Sequence, residues 1–284
     1  MKVDMHMHST ASDGQYAPAE LVKKVKEAGI GMMALTDHDS VSGVTEAKVA
    51  AKELGIICIP GIELSIAHEE ELHMLGYGID IRSETLAEFC AELVRDRNER
   101  TGRIIDYLAE YQIEIEEEEV EAIAGSNVVG RPHFARIMLQ KGYVSSIQEA
   151  FDKYLATEGF ASIERPKPSA ERGLSMIQEA GGIAVLAHPR SLKKTGEALE
   201  EELRHLVDLG LKGIETYYSG HTERQTEEYH ALAVKYGLLE TAGSDFHGEK
   251  VKPAIYLGRK EGGQEPLTDE SKLNIDYLAQ LQHI

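Results

Sequence analysis

Five short clusters of imidazoles and carboxylates punctuate the chain. They are His6 and His8 with Asp13 close behind; Asp37, His38 and Asp39; Glu63 with His73; His188; and Asp245 with His247. Only 12 histidines occur in the 284 residues, and half of them fall in these clusters. Histidine and carboxylate ligands together suit Mn, Fe or Zn, and a set this large can hold more than one ion. The simplest chemistry for such a chain is metal-dependent hydrolysis.

The elements that must position these residues follow from periodicity. Strands are expected over Met1–His8, Met32–Thr36, Ile56–Ile62, Leu72–Ile79, Ile183–Ala187, Gly213–Thr216 and Leu238–Ala242. Helices are expected over Pro18–Ala28, from Ser42 or Gly43 to Leu54, and over Ala170–Ala180, Glu197–Leu209 and Glu223–Tyr236. Gly29 and Gly55 act as helix stops. Repeated β-α units imply a mostly parallel sheet, open or closed into a barrel. His8, His38, Glu63, His188 and Asp245 then lie at or just after strand C-terminal ends, which share one face in a barrel. The gap between Glu63 and Leu72 is too short for a parallel crossover. These two strands should therefore form an antiparallel hairpin that sets His73 beside Glu63.

Residues 83–168 break this rhythm. Leu86, Phe89, Leu93 and Val94 mark one helix face, Ile104, Ile105 and Leu108 another, and Phe134, Ile137 and Met138 a third. The segment reads as an α-helical insertion over the barrel face, with barrel residues 1–82 and 169–284 on either side. Arg165-Pro166-Lys167-Pro168 is its return linker. The tail is weakly amphipathic from Leu273 to Leu281.

Composition narrows the function classes. The net charge of −19 argues against a surface that coats nucleic acid. It leaves a phosphorylated substrate open, because clustered ions reverse the local field. No apolar run is long enough for a membrane span. Cys58 and Cys90 give no disulfide framework, and a candidate ligand at position 6 leaves no room for a signal peptide. A cytoplasmic location is expected.

The strings HMHSTASDG at 6–14, LTDHDS at 35–40, GIELS at 61–65, ELHMLGYG at 71–78, AHPR at 187–190 and GSDFHG at 243–248 carry a resemblance. In their order and spacing they resemble the polymerase and histidinol phosphatase (PHP) superfamily. The resemblance implies an α/β fold: a distorted seven-stranded (β/α)7 TIM-like barrel with a trinuclear metal site and phosphoesterase activity. Within the superfamily the chain is similar to stand-alone proteins with a helical insertion. These include nucleoside 3′,5′-bisphosphate phosphatases and 5′-to-3′ oligoribonucleases. By the same resemblance, one metal would take His6, His8, Glu63 and Asp245. A second would share Glu63 and add His73 and His188, and a third would take Asp13, His38 and His247.

Outside this ligand set, Asp37 is expected to orient a histidine and is grouped with His221 as a catalytic candidate. Asp39 would cap the following segment. Gly130-Arg131-Pro132-His133 opens a helix, so Arg131 and His133 are candidates for a second phosphate contact. Their plainer role is a surface helix start. His221 is a further phosphate candidate, and otherwise caps the next helix. Arg165 and Lys167 are weaker ones, since linker cations are usually solvated. Tyr217 and Tyr218 would flank a base or simply pack. His68, His205, His230 and His283 are expected on the surface, and Glu116–Glu119 as a solvated helix start.

Hydroxide generated at the ions would attack phosphorus without a side-chain nucleophile. The expected substrate is a small phosphorylated molecule, foremost a nucleoside 3′,5′-bisphosphate losing its 3′-phosphate. Short RNA degraded from its 5′ end is the alternative, and histidinol phosphate a third. No membrane and no stable DNA partner are expected. A non-catalytic metal-binding scaffold is the reading from a different class.

Overall fold

The structure, a computed structural model, describes every residue except 125–127, 164, 269 and 284. The chain opens with β1 (Lys2–Asp4), α1 (Pro18–Glu27), β2 (Ile30–Leu35), α2 (Val44–Leu54), β3 (Ile57–Ile66) and β4 (Leu72–Tyr77). Helices α3 (Glu84–Glu110), α4 (Glu117–Ala124), α5 (Arg131–Gln140), α6 (Ile147–Ala150) and α7 (Glu158–Ala161) follow without a strand. The β-α rhythm then resumes with α8 (Ala170–Glu179), β5 (Ile183–Leu186), α9 (Gly196–Asp208), β6 (Gly213–Tyr218), α10 (Glu223–Tyr236) and β7 (Leu239–Gly243). It ends on α11 (Ile275–Gln280).

The seven strands lie in sequence order in one sheet. All neighbours are parallel except that β4 runs antiparallel to both β3 and β5. The first and last edges meet: Met5 N–H donates to Ala242 O at 2.8 Å, and Asp245 N–H to His6 O at 2.8 Å. The sheet is thus nearly closed into a barrel. The hairpin expected between Glu63 and Leu72 is present, with Ser65 opposite His73 and Glu63 opposite Leu75.

Strand boundaries differ from the sequence expectation in two places. β3 runs on to Ile66, so Glu63 sits inside a strand rather than after one. Its residues from Cys58 onward are all buried, because β2 and β4 flank it and helices cover the outer face. β1 stops at Asp4, and the backbone of residues 5–8 bonds instead to β7 and the segment after it, and to Thr36 after β2.

Apolar side chains sort into layers. Met5, Met32, Ile59, Leu75, Val185, Tyr217 and Ala242 fill the barrel interior, and Leu273, Leu278 and Leu281 from the tail join them. On the outside, Leu21, Val22 and Val25 of α1 pack on one arc, and Leu174, Leu203 and Leu232 of the later helices on another. The two faces expected near 86–94 and 104–108 belong to a single 27-residue helix, α3. Ser83 caps it by accepting from Leu86 N–H at 3.3 Å. Its first half (Leu86, Phe89, Leu93) packs on the barrel. Its second half (Ile104, Leu108) joins Val120, Phe134, Ile137 and Phe160 in a separate apolar cluster. Among the described residues, no helix is long and apolar enough to cross a membrane.

Candidate metal centre

The nine proposed ligands converge on one end of the barrel. His6 and His8 follow β1, His38 follows β2, His188 follows β5, and Asp245 and His247 follow β7. His73 comes from the start of antiparallel β4, which lies at the same end. Glu63 is central and fully buried. Its Oε1 lies 2.9 Å from His73 Nδ1 and 3.0 Å from His188 Nε2. Its Oε2 lies 2.9 Å from His38 Nδ1, 3.2 Å from His8 Nε2 and 3.3 Å from His6 Nε2. Asp245 Oδ1 is 3.2 Å from His8 Nε2 and 3.3 Å from His247 Nδ1, and Asp13 Oδ1 is 3.3 Å from His247 Nε2.

Several of these close approaches lack hydrogen-bond geometry. His6 Nε2, His8 Nε2, His38 Nδ1, Asp13 Oδ1 and Glu63 Oε2 are all buried without a hydrogen-bond partner. Buried polar atoms left without partners are costly, and each such case calls for an explanation. Lone pairs converging on shared points are what metal ions require, and the donor set of imidazole and carboxylate fits transition ions. Three groups have mutually close donor atoms: His8, Asp13, His38 and His247; His6, His8 and Glu63; and His38, Glu63 and His73. His8 and His38 thus each serve two groups, more sharing than the sequence assignment gave them.

Electrostatics favour the same use. Burial raises the Glu63 carboxyl, but His38, His6 and His73 outweigh it and hold it well below its usual range. Asp13 and Asp245 are likewise held well below theirs, the first by His247 and His38, the second by Lys252, His247 and His6. Burial drives His38 down to about 4, so its imidazole is neutral and offers a lone pair. His6 goes the other way: burial lowers its pKa, but Glu63, Glu215 and Asp245 together raise it well above the usual value. In this acidic pocket a proton competes with a metal for the same nitrogen.

The backbone is bent to make the site. His188 (φ 24°), Asp245 (φ 59°) and Asp39 (φ 52°) adopt positive φ without being glycine. Such conformations cost energy and cluster at functional sites. Gly243 has no room for a side chain, since a Cβ there would collide with Glu215 Oε1 and the His6 Cβ.

Several supporting residues escaped the sequence reading. Glu215, fully buried in β6, holds His6 Nδ1 at 3.0 Å and accepts from His188 N–H at 2.7 Å. It therefore fixes the His6 tautomer with Nε2 facing the centre. A glutamate inside the apolar run of β6 was its visible signal. Asp4 accepts from Ser244 N–H at 2.9 Å and Gly258 N–H at 2.8 Å. It thereby pins the loop that carries Asp245. Lys252 donates to Asp245 Oδ2 at 2.6 Å, and Tyr218 OH to the same oxygen at 3.1 Å. Nothing in the local sequence marks Lys252.

Other expectations need correction. Among the described residues, Asp37 hydrogen-bonds no histidine directly: its carboxylate accepts from Ser9 N–H (2.7 Å), Ser9 Oγ (2.7 Å) and Ser12 Oγ (2.6 Å). It holds the 9–12 turn and reaches His8 indirectly, through Ser12 Oγ, 3.5 Å from His8 Nδ1. Asp39 is no cap. It accepts from Ser65 N–H at 2.9 Å, Arg97 Nε at 2.7 Å and Arg165 Nη2 at 3.0 Å. Arg165 is thereby buried and committed to Asp39. His221 does not cap α10, since Thr222 does. His221 Nδ1 faces Thr216 O at 3.1 Å, which makes Nδ1 the donor and leaves a lone pair on buried Nε2. Burial takes its pKa down to about 3, so it carries neither charge nor an outward proton for a phosphate.

The remaining candidates lie at the mouth or away from it. His133 is buried and accepts from Gly130 N–H at 3.0 Å, and a Cβ on Gly130 would sit 2.9 Å from Asp13 Oδ2. The start of α5 therefore abuts the centre. Arg131 Nη2 lies 3.4 Å from Glu71 Oε1, itself 3.8 Å from His73 Nε2. Lys167 is exposed. Tyr217 is buried in the barrel interior. Glu116 to Glu118 are exposed at the start of α4, and Glu119 pairs with Lys141 at 2.8 Å. His205 and His230 are exposed, but His68 is half-buried and lies 3.4 Å from Glu202. The His283 side chain lies outside the described residues.

A nearly closed seven-stranded barrel with a histidine–carboxylate centre at its strand ends defines a metal-dependent hydrolase. The comparisons make the class specific. The PHP domain matches residues 4–162. The 5′-3′ exoribonuclease Rnm of Escherichia coli is 33% identical over 260 residues, covering 90% of this chain and 88% of the relative. A 3′,5′-nucleoside bisphosphate phosphatase of Chromobacterium violaceum is 30% identical over 257 residues, covering 86% and 87%. The crystal structure of a candidate metal-dependent phosphoesterase from Bifidobacterium adolescentis superposes with a TM-score of 0.85. It is 28% identical and covers 98% of this chain and 96% of that one. The chain belongs to the PHP domain family, and it is a metal-dependent phosphoesterase with a side-chain cluster able to hold metals.

Proposed function

We propose that the protein hydrolyses a nucleoside 3′,5′-bisphosphate to the 5′-monophosphate and phosphate. The observation that carries this reading is an arginine, Arg131, set one carboxylate away from His73 at the edge of the nine-residue centre. A phosphate cleaved at the centre and a second phosphate held beside it fit that spacing of parts. The reading is supported by the Chromobacterium violaceum relative, whose name carries this activity.

His6, His8, Asp13, His38, Glu63, His73, His188, Asp245 and His247 would hold two or three divalent ions. Bound there, such ions supply hydroxide at neutral pH and neutralise phosphoryl oxygens. The chain's own residues do the rest. Glu215 keeps His6 in one tautomer, and Tyr218 and Lys252 hold Asp245 by its outer oxygen. Arg131, with Lys167 beside it, binds and orients the uncleaved phosphate. The division into a barrel (1–82 and 169–284) and an inserted cap (83–168) belongs to this reading, with the cap forming one wall of the pocket.

A phosphate-release screen of Mn-loaded protein tests the assignment. Adenosine 3′,5′-bisphosphate should give the highest kcat/KM, above nucleoside monophosphates and histidinol phosphate, and values should fall as RNA length increases. The second reading, 5′-to-3′ removal of nucleotides from short RNA, is favoured by the similarity to the Escherichia coli exoribonuclease. If a ten-nucleotide RNA outcompetes the bisphosphate, that reading replaces the first.

A further inference from the structure

Beside the metal centre, several cationic side chains come together in an otherwise acidic chain. Arg97, Arg100, Arg131, Arg165 and Lys167 gather where α3, the start of α5 and the 165–168 linker meet the barrel. Two carboxylates face them. Asp39 takes Arg97 and Arg165, and half-exposed Glu71 takes Arg131 at a long 3.4 Å. Among the described residues, five cations against two acids make a local excess of positive charge in a chain whose net charge is −19.

Arg100 is the group this leaves over. Its Nε is buried without a hydrogen-bond partner, and no ion pair to it is found among the described residues. Among the described residues its charged neighbours are Arg131, Arg97 and Arg103, all cations. Burial, and then these neighbours, bring its pKa down to about 10, still far above neutrality. Folding a permanently charged guanidinium against three others is unfavourable unless an anion joins them. Ring stacking also fixes its direction: Arg100 lies over Phe160 at 4.8 Å, and Arg131 over Phe151 at 5.7 Å. Phe151 follows α6 directly and Phe160 lies in α7, and both rings pack in the apolar cluster that the second half of α3 joins.

We propose that Arg100 and Arg131, backed by Arg97 and Lys167, form an anion subsite that uses no metal. It takes the dianionic phosphate monoester of the substrate that the reaction leaves intact. This deepens the proposed function and rests on it for the identity of the substrate. Recognition comes from α3 and α5, not from the barrel, so specificity and chemistry are carried by different parts of the chain.

Arg100→Met tests the subsite in the Mn-loaded enzyme. Calorimetric affinity for adenosine 5′-monophosphate should fall roughly ten- to hundred-fold, the usual effect of one charge-assisted contact. Affinity for adenosine should stay unchanged. KM for adenosine 3′,5′-bisphosphate should rise by a similar factor, while p-nitrophenyl phosphate, which fills only the metal end, keeps its kcat and KM. Arg95→Met, the same loss of charge at an exposed position of α3, is the control and should leave all four values unchanged. Arg100→Lys keeps the charge without the planar fork and should fall between wild type and Arg100→Met. It also carries the test should methionine disturb packing on Phe160. Equal affinity of wild type and both Arg100 variants for the monophosphate overturns the subsite. A selective loss of monophosphate affinity in an enzyme that does not cleave the bisphosphate keeps the subsite and overturns the proposed substrate.

Discussion

Asp39→Asn should destabilise the protein by about 3–5 kcal/mol, the range for breaking a buried ion pair by removing one partner. Asp39 is fully buried, and it accepts from two guanidiniums, Arg97 at 2.7 Å and Arg165 at 3.0 Å. The Arg165 side chain is 3% exposed and that of Arg97 11%, so solvent screening gives little relief once the carboxylate charge is gone. Asparagine isolates the charge: it nearly matches aspartate in size, can still accept from Ser65 N–H, and tolerates the positive φ of 52° at this position. The loss is therefore not a strain effect. Chemical denaturation at pH 7, followed by circular dichroism and by tyrosine fluorescence, reads the change.

The pH dependence gives a second handle on the same residue. Burial raises the Asp39 carboxyl, but Arg97, Arg165 and the Ser65 amide bring it below its ordinary value of 3.8. A lowered acid contributes stability above its unfolded pKa and loses it as pH falls through the folded one. The wild type should therefore lose this contribution below about pH 4, and the variant has nothing there to lose. Combining Asp39→Asn with Arg165→Met should restore part of the deficit, since the second change removes one of the stranded charges. A cost below about 1 kcal/mol at pH 7, the range of an exposed pair, would refute the argument. So would strict additivity in the double variant.

His38→Ala and Asp245→Ala should each abolish turnover of every phosphoester and lower the metal-to-protein ratio measured by elemental analysis; an active variant with full metal content would remove that residue from the centre. Glu215→Gln keeps the shape of the group but loses the charge on His6 Nδ1, so chelator competition should show metal binding weakened roughly 10- to 100-fold. Unchanged affinity would reduce Glu215 to a packing role. His133 is buried and neutral, with a pKa taken down to about 4 by burial. A depressed base contributes full stability above its unfolded value of 6.5 and loses it as pH falls toward 4, here roughly 3 kcal/mol. His133→Gln should flatten the stability curve over that window, and parallel curves for the two proteins would count against it.

The centre was more legible than its supports, for a physical reason. Candidate metal ligands are restricted to a few residue types and recur near strand ends, so His6, His8 and Asp245 stand out once the β-α rhythm is seen, while Glu63 turns out to lie inside β3. His73 was placed by a length argument alone, and the hairpin is there. The groups that hold the ligands obey no such pattern. Asp37, expected to orient a histidine, is held instead by Ser9 and Ser12 and meets His8 only through Ser12. Asp39 looked like a helix cap, and its partners Arg97 and Arg165 lie 58 and 126 residues away. Contacts at that separation depend on how α3 returns across the barrel mouth, and that path is set by packing rather than by any local sequence signal. The same holds for the helix itself, where two apolar faces at different angles were really one long helix serving two cores.

The long helix ties the fold to the proposed selectivity. From Leu86 to Leu93 it is fastened to the barrel, and from Ile104 onward it belongs to the other apolar cluster. Arg97 and Arg100 fall between these two stretches, where the helix passes from one core to the other. Arg97 is spent on Asp39, beside the His38 loop, and Arg100 has no acid paired with it among the described residues. The ion pair therefore fixes the height at which the free guanidinium stands relative to the centre. Beyond that point the molecule turns acidic, with Glu116 to Glu118 exposed on α4 and a net charge of −19 overall. Screening confines each charge to about 8 Å at physiological salt, so a bound anion responds to the nearest groups rather than to the total. A compact substrate with two phosphates, as proposed, would lie within reach of both the cationic side chains and the metal centre. Each further nucleotide of a longer chain would add its phosphate outside both.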